Sequence, residues 1–232
     1  MKTSKIQHVV IFSGAGISAE SGLKTFRDSD GLWENYKVDD VATPQAWEKK
    51  PELVLEFYNL RRRQVLNAKP NPAHFSIPKL EKKYKVSVIT QNVDDLHERA
   101  GSKNVLHLHG EILNSRSVET GKTYRLKNAV INLGDLCENG HQLRPDVVWF
   151  GEYVPNIVKA IKICESADIL IIIGTSLNVY PAADLINDIK SSCKIYLIDP
   201  KDVTIRNIAK ITHIKKSASE GLPKLVEELL KF

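Results

Sequence analysis

The sequence predicts an α/β protein built on a doubly wound parallel sheet, and three observations carry that expectation. Short β-branched apolar runs alternate with stretches of helical periodicity, as strand–helix–strand units do. The first run, His8-Val9-Val10-Ile11-Phe12, breaks abruptly into Gly14-Ala15-Gly16, the pattern of a buried strand ending in a phosphate-binding turn. Later runs end in small polar clusters, and the carboxyl ends of parallel strands are where open α/β sheets bind ligands.

A chain of 232 residues can bury one sizeable core with room for a smaller lobe. Its 42% hydrophobic and 26% charged content are those of a soluble globular protein. The net charge of +5 is mild and its signs are interleaved, which argues against a dedicated nucleic-acid binder and leaves room for acidic or phosphorylated ligands. Three widely spaced cysteines, Cys137, Cys164 and Cys193, suggest a reducing compartment rather than a disulfide framework. No signal peptide is visible, and the longest apolar run, Ile169 to Ile173, is too short to span a membrane. The expectation is a cytoplasmic monomer without a membrane or direct nucleic-acid partner.

Along the chain, Ser18 to Gly22 is expected to open a helix whose first amides face the ligand. Phe26 to Trp33 reads as a polar, glycine-containing loop, a candidate lid. Arg27 is there either a phosphate partner or a solvated arginine. Thr43 to Ala68 reads as helical, with Thr43 as cap, Pro44 at the first position, and Trp47, Leu53, Val54, Phe57, Tyr58 and Leu60 at helical spacing. Tyr58 and Arg61, three apart, share a face and could offer a phenol and a guanidinium to one carboxylate. Arg62 and Arg63 read as solvent-exposed.

After the Pro70–Pro72 break, a helix is expected from Ala73 to Tyr84, kinked or delayed at Pro78. Strand Val86–Thr90 ends in Gln91-Asn92-Val93-Asp94-Asp95, and Val105–Leu108 ends in His109-Gly110. His109 is a general-base candidate, with a structural histidine as the alternative. Tyr124–Leu126 and Ala129–Leu133 are expected to pair around Lys127-Asn128, with Cys137 to His141 closing that insert. Arg144 to Glu152 is either an edge strand for an extended peptide or a core strand. Helix Asn156–Ser166 leads into the buried strand Ile169–Ile173, which ends in Gly174-Thr175-Ser176. Helix Pro181–Lys190, strand Lys194–Ile198 and helix Leu222–Leu230 complete the chain, which contains no internal repeat.

Taken together, these residues resemble the sirtuins, NAD-dependent protein lysine deacylases. The matching motifs are the glycine turn with Ser18-Ala19-Glu20-Ser21-Gly22, Phe26-Arg27, Gln91-Asn92-Val93-Asp94, His109-Gly110, Pro145 to Glu152, and Gly174-Thr175-Ser176. They occur in family order over nearly the whole chain, each weak alone and specific jointly. The resemblance implies a Rossmann-like domain of residues 1–33, 73–110 and 144–232, with a small lobe from insertions 34–72 and 111–143. NAD, consumed as a co-substrate, would lie in the cleft between them, and the acyl-lysine of a protein or peptide would enter opposite.

By the same resemblance His109 would act as general base on the ribose hydroxyls, with Asn92 and Asp94 positioning the ribose and nicotinamide. NAD would further touch Gly14, Ala15, Gly16, Ser18, Ala19, Glu20, Gly22, Thr25, Phe26, Arg27, Trp33, Gln91 and Val93. Gly174, Thr175 and Ser176 would take the phosphates or the adenosine ribose, with Ile198, Asp199 and Ala218 on the adenosine side. Asp199, where many relatives place an Asn, has a turn-starting role as its alternative. Val148, Phe150, Gly151 and Val179 would bracket the substrate lysine.

Two features refine the resemblance. Phe57-Tyr58-Asn59-Leu60-Arg61 and the Ala19-Glu20 version of the turn resemble the branch that grips acidic acyl groups, so removal of succinyl or malonyl groups is expected beside acetyl. The family's structural zinc site, two C-x-x-C pairs, looks broken. Residues 111–136 contain neither Cys nor His, and Gly140 stands where a partner of Cys137 is expected. Cys137 and His141 are two possible ligands where a structural zinc normally has four, so no zinc is expected, and the hairpin Tyr124–Leu133 would hold the insert together. Competing readings on the same fold are an ADP-ribosyltransferase or NAD hydrolase, and a non-catalytic NAD sensor.

Overall fold

The computed structural model describes residues 6–24, 36–203 and 211–231, and the backbone of Leu32 and Trp33. Strand β1 (His8–Ser13) is buried throughout and runs into the one-turn helix α1 (Gly16–Ala19). The short strands β2 (Leu32–Trp33) and β3 (Tyr36–Lys37) lead to helices α2 (Val38–Val41), α3 (Pro44–Lys49) and α4 (Pro51–Asn67). Helix α5 (Pro72–Ser76) continues as a 3-10 segment (Ile77–Lys82), followed by β4 (Lys85–Thr90), α6 (Leu96–Arg99) and β5 (Val105–His107). Then come β6 (Gly110–Ser117), β7 (Thr123–Arg125) and β8 (Leu143–Val147). The last elements are α7 (Ile157–Glu165), β9 (Ile169–Ile173), a 3-10 helix (Ala182–Asp188), β10 (Lys194–Ile198), β11 (Ile211–Ile214) and α8 (Ala218–Lys231).

Six strands form one parallel sheet in the order β5-β4-β1-β9-β10-β11. The order reverses between β1 and β9, so a crevice opens at their carboxyl ends. The expected fold class is observed. Its cause is visible in β1, where successive side chains point to opposite faces. Val9 and Ile11 pack with Ala73, Ile77 and Leu222, while Val10 and Phe12 pack with Ala160, Cys164 and Leu185. Both faces are apolar and both need helical cover, and each fully buried side chain of this size is worth about 1.5–3 kcal/mol.

A separate antiparallel sheet, β7-β6-β8, packs with α2–α4 around a third cluster that includes Val41, Val54, Phe57, Tyr58, Ile112 and Trp149. This arrangement sets a wall of side chains over the carboxyl edge of the large sheet.

Several local expectations change. Thr43 does cap α3, its hydroxyl accepting the Ala46 amide at 3.1 Å, but the helix breaks at Lys50 because Pro51 cannot donate into a continuing ladder. The region after Pro72 is five residues of α-helix and then 3-10, with Pro78 inside the tighter segment, and 182–188 is likewise 3-10. Helix α8 begins at Ala218, four residues before the expected start. The hairpin expected between 124 and 133 does not form: β7 pairs with β6, and 129–133 is irregular.

Arg62, expected in solvent, is 1% exposed. Its Nε donates to the Ile112 carbonyl (2.7 Å), and Nη1 donates to Asn59 Oδ1 (2.7 Å) and to the Ala129 carbonyl (3.2 Å). Burial lowers its pKa to about 10. Asn59 completes the clamp, accepting the Ile131 amide and donating to the Ile131 carbonyl, both at 2.9 Å. These two α4 side chains supply the partners that an irregular segment cannot give itself.

Candidate active site

At the switch between β1 and β9 the backbone is crowded. A Cβ on Gly174, whose φ is +62°, would stand 2.3 Å from the Ile17 nitrogen, and one on Gly16 would stand 2.6 Å from Gly174 Cα. The Gly16 amide donates to the Gly174 carbonyl (2.8 Å), Ile17 to Gly14 (3.1 Å) and Ser18 to Ala15 (3.0 Å). Of the amides expected to face a ligand, that of Ser18 is therefore spent inside the turn, as are those of Gly16 and Ile17 ahead of it. The glycines serve the close approach of two strand ends.

That turn delivers Ser18 to the loop after β4. The Gln91 amide donates to the Ser13 carbonyl (2.9 Å) and the Asn92 amide to Thr90 Oγ1 (3.0 Å), extending the sheet edge by two residues. Asn92 Nδ2 donates to Ser18 Oγ (3.2 Å), and Ser18 Oγ donates to Asp94 Oδ2 (3.1 Å). The other oxygen of Asp94 accepts the Leu96 amide at 3.1 Å. Burial pushes the Asp94 carboxyl up, against the pull of the Leu96 and Ser18 hydrogen bonds.

His109 follows β5. Its Nδ1 lies 3.1 Å from the Gln91 carbonyl, which can only accept, so Nδ1 carries the proton and Nε2 keeps its lone pair. Burial is the main influence on this ring and lowers its pKa below 6.5. The result is a neutral imidazole able to take a proton. Its own carbonyl accepts the Val148 amide (2.9 Å), tying it to the strand that leads into the lining wall.

Asn92, Asp94 and His109 line a cavity of about 230 Å³ together with Ala15, Ser18, Gln91 and Val93. Tyr58 and Arg61 line the same cavity, one helical turn apart and 1% and 6% exposed. Arg61 Nη1 donates to Gln64 Oε1 (3.0 Å). The Tyr58 oxygen accepts from Trp149 Nε1 (3.1 Å), and burial raises the phenol's pKa, so it stays protonated with its O–H as the remaining donor.

The Trp149 ring is held from behind by the Arg144 guanidinium, 3.4 Å from its centroid. Arg144 is gripped by both oxygens of Glu152 at 2.8 Å, and Glu152 also accepts the Trp149 amide (2.7 Å). Trp149 is one of several lining residues that the sequence did not single out, Leu23, Ala42 and Tyr180 among the others. It lies inside the Pro145–Glu152 motif, but its partner Tyr58 is 91 positions away.

Val148, Phe150, Gly151 and Val179 also line the cavity. The Val148 and Phe150 amides donate to His109 and Ala42, so peptide pairing through those two amides is closed. Of the adenosine-side expectations, Asp199 makes a turn, its Oδ1 accepting the Lys201 amide (2.9 Å), and Ile198 and Ala218 are buried where β10 ends and α8 begins. Glu20, expected at the dinucleotide, accepts from Ser217 Oγ (3.1 Å) and the Ser219 amide (2.9 Å) and so caps α8.

Thr175 accepts the Leu177 amide and the Gln91 side-chain amide, which joins the β9 and β4 loops, and Ser176 is the half-buried residue after it. Ala19 and Gly22 are exposed at the end of the glycine turn. Thr25, Phe26 and Arg27, and the candidate lid between Phe26 and Trp33 apart from the backbone of Leu32 and Trp33, lie outside the described residues.

The donor set does not fit a structural zinc. Among the described residues no three His, Cys, Asp or Glu side chains are grouped to hold a metal ion. Cys137 and His141 end a tight turn closed by the Cys137 amide on the His141 carbonyl (2.8 Å), and Cys137 Sγ donates to Ser117 Oγ. Two potential ligands fall short of the four such a site takes.

A Sir2 family model matches residues 14–181. An NAD-dependent protein deacylase of Helicobacter pylori is 50% identical over 98% of this chain and 99% of its own. One from Bacteroides thetaiotaomicron is 48% identical over 97% of this chain and 99% of its own. Among solved structures, a Sir2 homolog–NAD complex is 41% identical, covers 98% of this chain and 91% of its own, and superposes with a TM-score of 0.88.

Proposed function

The chain belongs to the Sir2 family, and on that premise we propose that Asn92, Asp94 and His109 form its NAD-cleaving centre, beside a pocket in which Tyr58 and Arg61 receive acidic acyl groups. The protein is an NAD-dependent protein deacylase of the sirtuin type. It takes acyl groups from protein lysine side chains, and NAD supplies the ribose carbon that accepts the acyl oxygen as nicotinamide departs. Asn92 and Asp94, braced through Ser18, orient that ribose. His109, neutral and bare at Nε2, takes a ribose hydroxyl proton so that this oxygen can attack the acyl carbon; water then completes cleavage of the acyl–nitrogen bond, and the products are nicotinamide, O-acyl-ADP-ribose and the free lysine. Residues 34–72 and 111–143 act as the small lobe over the cleft and work without a structural zinc.

The observation that carries the acyl preference is that Tyr58 and Arg61 line one cavity with Asn92, Asp94 and His109. A guanidinium fork and a phenol donor suit the distal carboxylate of a succinyl or malonyl group. The test compares wild type with Arg61→Met on succinyl-, malonyl- and acetyl-lysine peptides, with mass analysis of products. A selective loss on the acidic acyl peptides is expected. Equal losses on all three would sink the acyl preference, and free ADP-ribose in place of the O-acyl product would point to NAD hydrolysis.

A further inference from the structure

We propose that His107 is a positioning residue that works as an imidazolium, bridging the Asn92 carbonyl and the Glu98 carboxylate to hold the loop carrying Asn92 and Asp94 in its working shape. Nδ1 lies 2.8 Å from the Asn92 carbonyl oxygen and Nε2 lies 2.8 Å from Glu98 Oε1. A carbonyl and a carboxylate only accept, so both contacts need an N–H, and only the doubly protonated ring has two. A neutral ring sets a nitrogen lone pair against an oxygen lone pair at one end. This inference rests on the assignment of Asn92 and Asp94 to the NAD-cleaving centre.

The position of His107 fits that role. It is the last residue of β5, in register with Thr90 at the end of β4, and its carbonyl accepts Asn156 Nδ2 at 2.8 Å. The ring therefore projects from a fixed frame onto the first turn after β4. It is 7% exposed, whereas the Glu98 side chain is 39% exposed, so the strut runs from the buried loop outward to a carboxylate at the surface.

The charged and titratable groups facing the ring are Glu98 and His97 on α6, Asp94 on the loop and Glu111 on β6. Burial opposes charge on His107, but the hydrogen bond and charge of Glu98, the Asn92 carbonyl and Glu111 outweigh it and raise the pKa. The cation in turn favours ionised Asp94, whose own burial works against ionisation. His109, two residues on, is pushed the other way by burial. One short segment thus holds a neutral histidine for proton transfer and a charged one for support, environments that separate two like groups into two roles.

The sign follows from the direction of the shift. A raised histidine pKa means that the strut is present below that pKa and lost as pH rises through it. The test is a nitrogen-resolved NMR titration of the histidine rings in the full chain, read beside pH profiles of kcat/KM for NAD with an acetyl-lysine peptide. In wild type, both His107 nitrogens are expected to carry protons at pH ~7 and to lose one above the ordinary histidine range. Glu98→Gln, a change at an exposed side chain, is expected to lower the His107 pKa by about one unit and to move the alkaline fall of kcat/KM for NAD down by the same amount. The KM for peptide is expected to hold.

His107→Gln is expected to lower kcat/KM for NAD at every pH while flattening that alkaline fall. A neutral His107 ring at pH ~7 in wild type would overturn the charge assignment. A charged ring with an alkaline limb unmoved by Glu98→Gln would overturn the positioning role. The NMR arm needs no turnover, so loss of the proposed chemistry and loss of this strut give different results.

Discussion

Trp149 Nε1 lies 3.1 Å from the oxygen of Tyr58, and the direction of that hydrogen bond decides what the phenol can do. Indole only donates, so Tyr58 accepts from it and keeps its own proton for another acceptor. A donor phenol and the Arg61 guanidinium line one cavity, and on these two the proposed preference for an acyl group ending in a carboxylate rests.

Trp149→Phe removes the N–H that reaches Tyr58 and leaves a smaller aromatic ring over Arg144. A hydrogen bond of this kind is worth about 0.5–1.5 kcal/mol, so kcat/KM on succinyl peptide should fall about two- to ten-fold. Acetyl peptide should change little. A parallel fall on both peptides would show that the indole serves packing alone.

With His109 as the proposed base, its lowered pKa should set the acid side of the pH profile. A base is competent only above its pKa, so the acid limb of kcat/KM should lie below 6.5. His109→Ala should remove the limb along with nearly all turnover. A limb at or above 6.5 would contradict the buried, neutral assignment.

Gly174→Ala probes the meeting of strand ends. Its Cβ would stand 2.3 Å from the Ile17 nitrogen in a backbone with φ +62°, and the clash is with main chain that cannot rotate away. We expect a stability loss of about 2–4 kcal/mol and loss of NAD binding. Denaturant melts and titration calorimetry with NAD would measure both, and a variant that melts and binds like wild type would refute the packing account.

The Asn59–Arg62 clamp should carry the burden that a metal carries elsewhere. Arg62→Met leaves the Ile112 and Ala129 carbonyls without their Arg62 donor and Asn59 Oδ1 with the Ile131 amide alone, a loss of about 2–5 kcal/mol. Chelator treatment of wild type should leave the melting temperature unchanged, and elemental analysis should find no stoichiometric zinc. Stoichiometric zinc, or melting that drops on chelation, would contradict this.

Most of the sheet was legible because its causes are local. β1 and β9 are continuous apolar runs that end in glycine, and such runs become buried parallel strands whatever surrounds them. The polar ends Gln91-Asn92-Val93-Asp94 and His109-Gly110 were legible for the same reason, and the structure brings Asn92, Asp94 and His109 to one cavity. Helix ends were less so, since α3 and α4 part at Lys50 and α8 starts early, where caps and tertiary partners outweigh periodicity.

The sequence by itself determined the parallel sheet, the glycine turn, the polar strand ends and the family resemblance, all of which depend on neighbours a few positions apart. Only the tertiary structure decided which side chains those groups meet. Arg61, Arg62 and Arg63 are consecutive and chemically alike, yet Arg61 lines the cavity, Arg62 is enclosed because α4 lies against β6 and the segment after β7, and Arg63 is exposed. His107 and His109 share a residue type, yet Glu98 and Asn92 raise one pKa while burial lowers the other. Burial and charge are fixed by groups from 9 to 67 positions apart that meet only when the chain packs, and that meeting sets protonation state and pocket chemistry.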